Sequence, residues 1–112
     1  MTYSRQQLVA LALEDLGVPG SGQTASAEDT ATVDNKLEAV MADLAQRNIW
    51  QWGDPDEIDD SAALHLAVIL AQASARSFDQ PPDENLRLLA EARLRALNVL
   101  TLSGQRQTTE YF

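Results

Sequence analysis

The stretch Ala62–Phe78, AALHLAVILAQASARSF, decides the fold. At 3.6 residues per turn, Leu64, Ala67, Val68 and Ala71 share one face, and Leu66, Ile69, Leu70 and Ala73 share another. A helix with no polar side must be covered all round, so this segment predicts a central, buried helix with other helices packed on it. Upstream lies IWQWGDPDEIDD, residues 49–60, where Gly53–Pro55 reads as a turn and Asp59, Asp60 or Ser61 can cap the central helix. Downstream, Pro81 and Pro82 interrupt the chain before DENLRLLAEARLRALNVL, in which Leu86, Ala90, Leu94 and Leu97 recur at helical spacing.

Two further helices precede the central one. Ser4 followed by Gln7 is a capping-box start, and Leu8, Val9, Ala12, Leu13 and Leu16 then line one face. Gly17 is placed to end that helix in the left-handed conformation, and Pro19 blocks its continuation. The next helix starts near Ser26 or Asp29, buries Val33, Leu37, Val40, Met41 and Leu44, and frays near Asn48. After Leu102 the periodicity stops, and SGQRQTTEYF reads as an extended tail. The expected architecture is an all-α antiparallel bundle of about four helices over residues 1–102, with an extended C-terminal tail over 103–112.

Composition agrees with packed helices. The chain has 112 residues, 45% apolar but with only six aromatics, so alanine and leucine supply most of the core. Cysteine is absent, which removes disulfides, thiolate nucleophiles and cysteine zinc sites. No stretch reaches membrane-spanning length and no leader-like cleavage site follows the first residues, so a soluble cytoplasmic protein is expected.

The net charge of −9 is unevenly placed. Residues 1–60 hold twelve acids against Arg5, Lys36 and Arg47, whereas residues 61–112 hold five acids against five arginines. A DNA grip needs clustered cations to displace counterions, and none is present, so tight direct nucleic-acid binding is not expected.

Motifs for chemistry are weak. GVPGSGQT, Gly17–Thr24, has the glycine spacing of a phosphate loop but follows a helix and carries Gln23 where the lysine belongs, so it reads as a connector. Asp54 and Asp56 match the first and third positions of a calcium loop, yet Ile58, Asp59 and His65 occupy the fifth, glycine and bidentate-glutamate positions. The acids Asp54, Asp56, Glu57, Asp59 and Asp60 read as helix caps and a solvated corner. His65 is the only histidine, and carboxylate pairs such as Glu38 with Asp43 are too common on helix faces to indicate a hydrolase. No catalytic residue, metal or cofactor is expected, and no enzymatic activity.

Aromatic residues point to contact instead. Trp50 and Trp52 alternate in a short non-helical stretch and either cover the end of the core or anchor a neighbouring subunit. The tail can add its backbone to another protein's edge while Tyr111 and Phe112 fill a pocket.

These parts, in this order, resemble the head-to-tail adaptor proteins of tailed bacteriophages, in particular the portal-completing adaptor of short-tailed phages. The carriers are QQLVALALEDLGV, VDNKLEAVMADLAQRNI with its tryptophans, AALHLAVILAQASARSF after the acidic turn, LRLLAEARLRALNVL and the end TTEYF. The resemblance implies a structural virion protein at the head–tail junction, made in the host cytoplasm. About twelve copies would form a ring on the portal. That ring would extend the DNA channel, help retain packaged DNA and offer a docking surface to the tail or nozzle protein. It implies a portal-binding role for Gln105, Arg106, Gln107, Thr108, Thr109, Glu110, Tyr111 and Phe112, with Arg95 and Arg106 pairing with portal acids. DNA would pass without specific binding, eased by an acidic channel surface. The alternative class is a small acidic regulatory module that binds one partner.

Overall fold

A computed structural model describes residues 2–18, 26–51, 53–54 and 56–110, with side chains described through residue 97. The protein is an all-α bundle of four helices: α1 (Arg5–Leu16), α2 (Ala27–Gln46), α3 (Asp60–Ser74), which tightens into a 3-10 turn (Ala75–Phe78), and α4 (Glu84–Glu110). Helix α3 packs against all three others and forms the centre, as its lack of a polar face requires.

Local chemistry sets the helix ends. Ser4 Oγ accepts from the Gln7 amide at 3.2 Å while Gln7 Oε1 accepts from the Ser4 amide at 2.8 Å, closing the capping box of α1. Ser26 caps α2 by accepting from the Asp29 amide at 3.0 Å, and Asp83 caps α4 by accepting from the Leu86 amide at 3.2 Å. The first three helices all stop in the same way, with one residue in the left-handed conformation: Gly17 at φ 69°, Asn48 at φ 58° and Asp79 at φ 57°. In each case the following amide reaches back five residues: Val18 to Leu13, Ile49 to Leu44 and Gln80 to Ala75, at 2.9, 2.9 and 3.0 Å. Gln80 also donates its side-chain amide to the Leu16 carbonyl at 2.7 Å, satisfying an end group of α1.

One element was not legible in the sequence. Strand β1 (Thr2–Tyr3) pairs antiparallel with β2 (Ile58–Asp59), Thr2 opposite Asp59 and Tyr3 opposite Ile58. This clip ties the start of α1 to the start of α3, so the N-termini of both helices lie at one end of the bundle.

The core follows the expected faces on α1 and α2. Leu8, Val9, Ala12, Leu13 and Leu16 are buried, as are Val33, Leu37, Met41 and Leu44, with Val40 half-buried against them. On α3, Ala62, Ala63, Leu66, Ala67, Ile69, Leu70 and Ala71 are buried, but Leu64 is 59% exposed. Helix α4 departs most from expectation: Ala90 and Leu94 are buried and Leu97 half-buried, while Leu86 faces solvent together with Leu88 and Leu89. Glu91 turns inward beside Ala90 and Leu94, and the guanidinium groups of Arg47 and Arg87 meet it there.

The expected end of α4 at Leu102 is also passed. The backbone stays helical through Ser103 and Gly104 to Glu110. Once a helix is nucleated and packed, each added residue contributes a hydrogen bond, and a single interior glycine costs only about 1 kcal/mol.

Ser74 is fully buried at the end of α3, and its hydroxyl has no hydrogen-bond partner. Removing an unpaired buried hydroxyl relieves a desolvation cost, so Ser74→Ala is expected to raise stability by about 1 kcal/mol. Urea unfolding followed by circular dichroism measures this; a loss of stability would mean that the hydroxyl is satisfied.

Candidate interaction surfaces

The acidic corner sits where β2 enters α3. Asp54, Asp56, Glu57, Asp59 and Asp60 are all exposed there. Two of the five have local roles. Asp54 Oδ1 accepts from the Asp56 amide at 2.9 Å, shaping the turn, and Asp59 Oδ1 accepts from the Ser61 amide at 3.2 Å, capping α3. That Ser61 amide bond holds the Asp59 carboxyl below the usual aspartate range. Asp56, Glu57 and Asp60 are left as outward charge at the positive ends of α1 and α3.

Ion pairs engage Arg5, Arg47 and Arg87. Arg5 donates to Asp34 at 2.7 Å and to Glu38 at 2.5 Å, pinning α1 to α2. The carboxylate pair Glu38 and Asp43 is thus divided, since Asp43 accepts from Arg47 at 2.6 Å instead. Arg47 also sends two parallel hydrogen bonds, both 3.0 Å, to Glu91 across the α2–α4 gap. Arg87 donates to the same carboxylate and to Glu84 at 2.6 Å, completing an alternating ladder Asp43, Arg47, Glu91, Arg87, Glu84. Glu91 is only 2% exposed. Burial pushes its carboxyl up, but the bonds and charges of Arg47 and Arg87 outweigh that and leave it below the glutamate range.

Sequence reasoning missed this ladder. Its local half was visible as Glu84–Arg87 and Arg87–Glu91 at helical spacing, but the Arg47 partner lies 44 residues from Glu91. Exposed cations without an ion-pair partner among the described residues include Arg93 and Arg95, both on α4.

Trp50 is half-buried and packs against the core, whereas Trp52 lies outside the described residues. Arg95 is exposed. Gln105, Arg106, Gln107, Thr108, Thr109 and Glu110 continue the α4 backbone with side chains outside the description, and Tyr111 and Phe112 lie outside it altogether. Gly17 takes part in the α1 cap, while the rest of the glycine-rich stretch from residue 19 to 25 is not among the described residues. His65 is half-buried on α3. Among the described residues no three His, Asp or Glu side chains gather as a metal set, and no helix is long and apolar enough to cross a membrane.

No protein-family model, no curated protein and no solved structure matches this chain.

Proposed function

We propose that the chain is a structural virion protein of a tailed phage, an adaptor whose copies ring the portal and join head to tail. The observation that carries this reading is the division of the molecule into an acidic helical body and one long helix. Helix α4 has 27 residues, about 40 Å at 1.5 Å per residue. The molecule measures 55 × 26 × 21 Å. The last α4 side chain described against the core is Leu97, and on this reading the residues beyond it engage the partner.

On this reading the segment Gln105–Phe112 grips the portal, with Arg95 and Arg106 pairing with portal carboxylates. The acidic corner, Asp54, Asp56, Glu57, Asp59 and Asp60, contributes a surface that repels phosphate and lets DNA pass. Trp50 and Trp52 serve the contact between copies. The protein performs no catalysis.

The test is native mass spectrometry of the chain mixed with the portal ring of the same genome. Addition of about twelve copies per portal is expected, and deletion of residues 103–112 is expected to abolish addition while leaving a folded helical body. Equal binding by the truncated chain would remove the role given to the C-terminal segment. A chain that never joins the portal and forms a discrete pair with a host protein would favour an acidic regulatory module.

A further inference from the structure

We propose that Glu91 sets the roll of α4: bonded by Arg47, it holds the helix turned away from its best apolar face and keeps Leu86 at the surface.

Leu86, Ala90, Leu94 and Leu97 fall within about 80° of one another round the helix, so they form the stripe that hydrophobic packing alone would bury. The bundle buries a different arc. Ala90 and Leu94 are 4% and 0% exposed, but on one side of them Leu86 is 47% exposed, and on the other Glu91 is 2% exposed. Leu86 and Glu91 stand about 140° apart, and a roll of about 40° exchanges their places. That roll buries the leucine and returns the carboxylate to water, while Ala90 and Leu94 stay on α3. Counting apolar area alone favours the rolled position.

What opposes it lies on α2. Arg47 sends two parallel hydrogen bonds of 3.0 Å to Glu91, and Asp43 grips the same guanidinium at 2.6 Å and orients it. Packing does not hold α4 on this side. Among the described residues α2 and α4 make no extensive contact with each other, and a groove of about 250 Å³ lies between them. Val40 of α2, Ile69 and Ala73 of α3 and Arg87 of α4 border it. Arg87 does not choose between the two positions, because it lies on α4 itself, turns with Glu91 and reaches it across one helical turn in either. The bond from Arg47 is therefore what selects the observed roll. A buried ion pair of this kind specifies an arrangement more than it stabilises the fold.

The effect reaches beyond the bundle. Helix α4 is continuous from Glu84 to Glu110, so a roll at Glu91 turns residues 98–110 by the same angle. Loss of the Arg47 bond thus re-aims the far end of α4 without detaching the helix from α3.

The experiment is leucine-methyl NMR of the full chain with a soluble gadolinium chelate, which broadens the methyl groups that solvent reaches. In wild type, Leu86 and Leu88 are expected to broaden strongly and Leu94 hardly at all. In Arg47→Gln the broadening of Leu86 is expected to fall about threefold, while Leu88, outside the buried arc in both positions, keeps its own. A merely structural role for Arg47 would leave Leu86 unchanged or make it more accessible, and either result would overturn the proposal. Equal protection of Leu86 and Leu88 would also sink it, since a roll cannot cover both. If circular dichroism shows that Arg47→Gln is unfolded, Arg47→Lys takes its place, keeping the charge without the paired bonds. Leu86 is then expected to be protected by a smaller factor, and an unprotected Leu86 again counts against the roll.

Discussion

Leu70→Ala is expected to lower stability by about 3 kcal/mol, the middle of the range for a leucine removed from a tight core. Leu70 is fully buried on α3, the helix that touches every other helix, so the void would open at the centre of the bundle. A domain of this size holds about 5–15 kcal/mol in total, and the variant would lose a large part of it. Leu64→Ala on the same helix is the control. Its side chain is 59% exposed, and the expected cost is below about 0.5 kcal/mol. Urea denaturation gives both values, with an unchanged slope showing that the same surface unfolds. A cost under about 1 kcal/mol for Leu70→Ala would mean that α3 is not the packed centre.

Arg47→Ala is expected to cost about 2–3 kcal/mol at pH 7, and distinctly less at pH 4. Losing one partner of a buried pair leaves a charge in a place that cannot solvate it, with reported costs of about 3–5 kcal/mol. Here Arg87 stays bonded to Glu91, and Arg47 itself is 38% exposed, so the lower figure applies. The sign of the pH dependence follows from Glu91. In the wild type its carboxyl is held below the ordinary value of 4.5. Its contribution is therefore present above that pH and lost as pH falls through the folded value. Without Arg47, burial is opposed by Arg87 alone and the carboxyl rises. The variant's penalty then grows as pH rises and shrinks where Glu91 can take up a proton. Chemical unfolding at pH 4 and pH 7 measures the difference, and an equal loss at both would show that Glu91 does not need Arg47.

Local signals explain what could be read in advance. Ser4 with Gln7, Gly17, Ser26 and Asp59 act within three residues of themselves, and each ends or starts a helix where the sequence places it. The apolar faces of α1 and α2 were equally legible, because each helix has a single such face. Helix α4 was harder, since Leu86, Leu88, Leu89, Leu94 and Leu97 spread round the helix and periodicity does not say which of them face the bundle. Glu91 is buried beside them on a bond from Arg47, outside helix α4, and no local pattern carries that. The β1–β2 clip was hidden for the same reason, two residues long at each side and far apart in sequence. The functional reading came from the order of the parts together with the split of charge.

Helix α4 is held differently from α1 and α2. Among the described residues α1 and α2 bury five and four side chains, whereas α4 buries Ala90, Leu94 and the charged Glu91, with Leu97 half-buried. Opening of α4 would nevertheless bare the face of α3 that it covers, since α3 packs on α4 more extensively than on any other helix. Its amides over the packed turns are therefore expected to exchange with solvent together with those of α3, through the global unfolding rather than ahead of it.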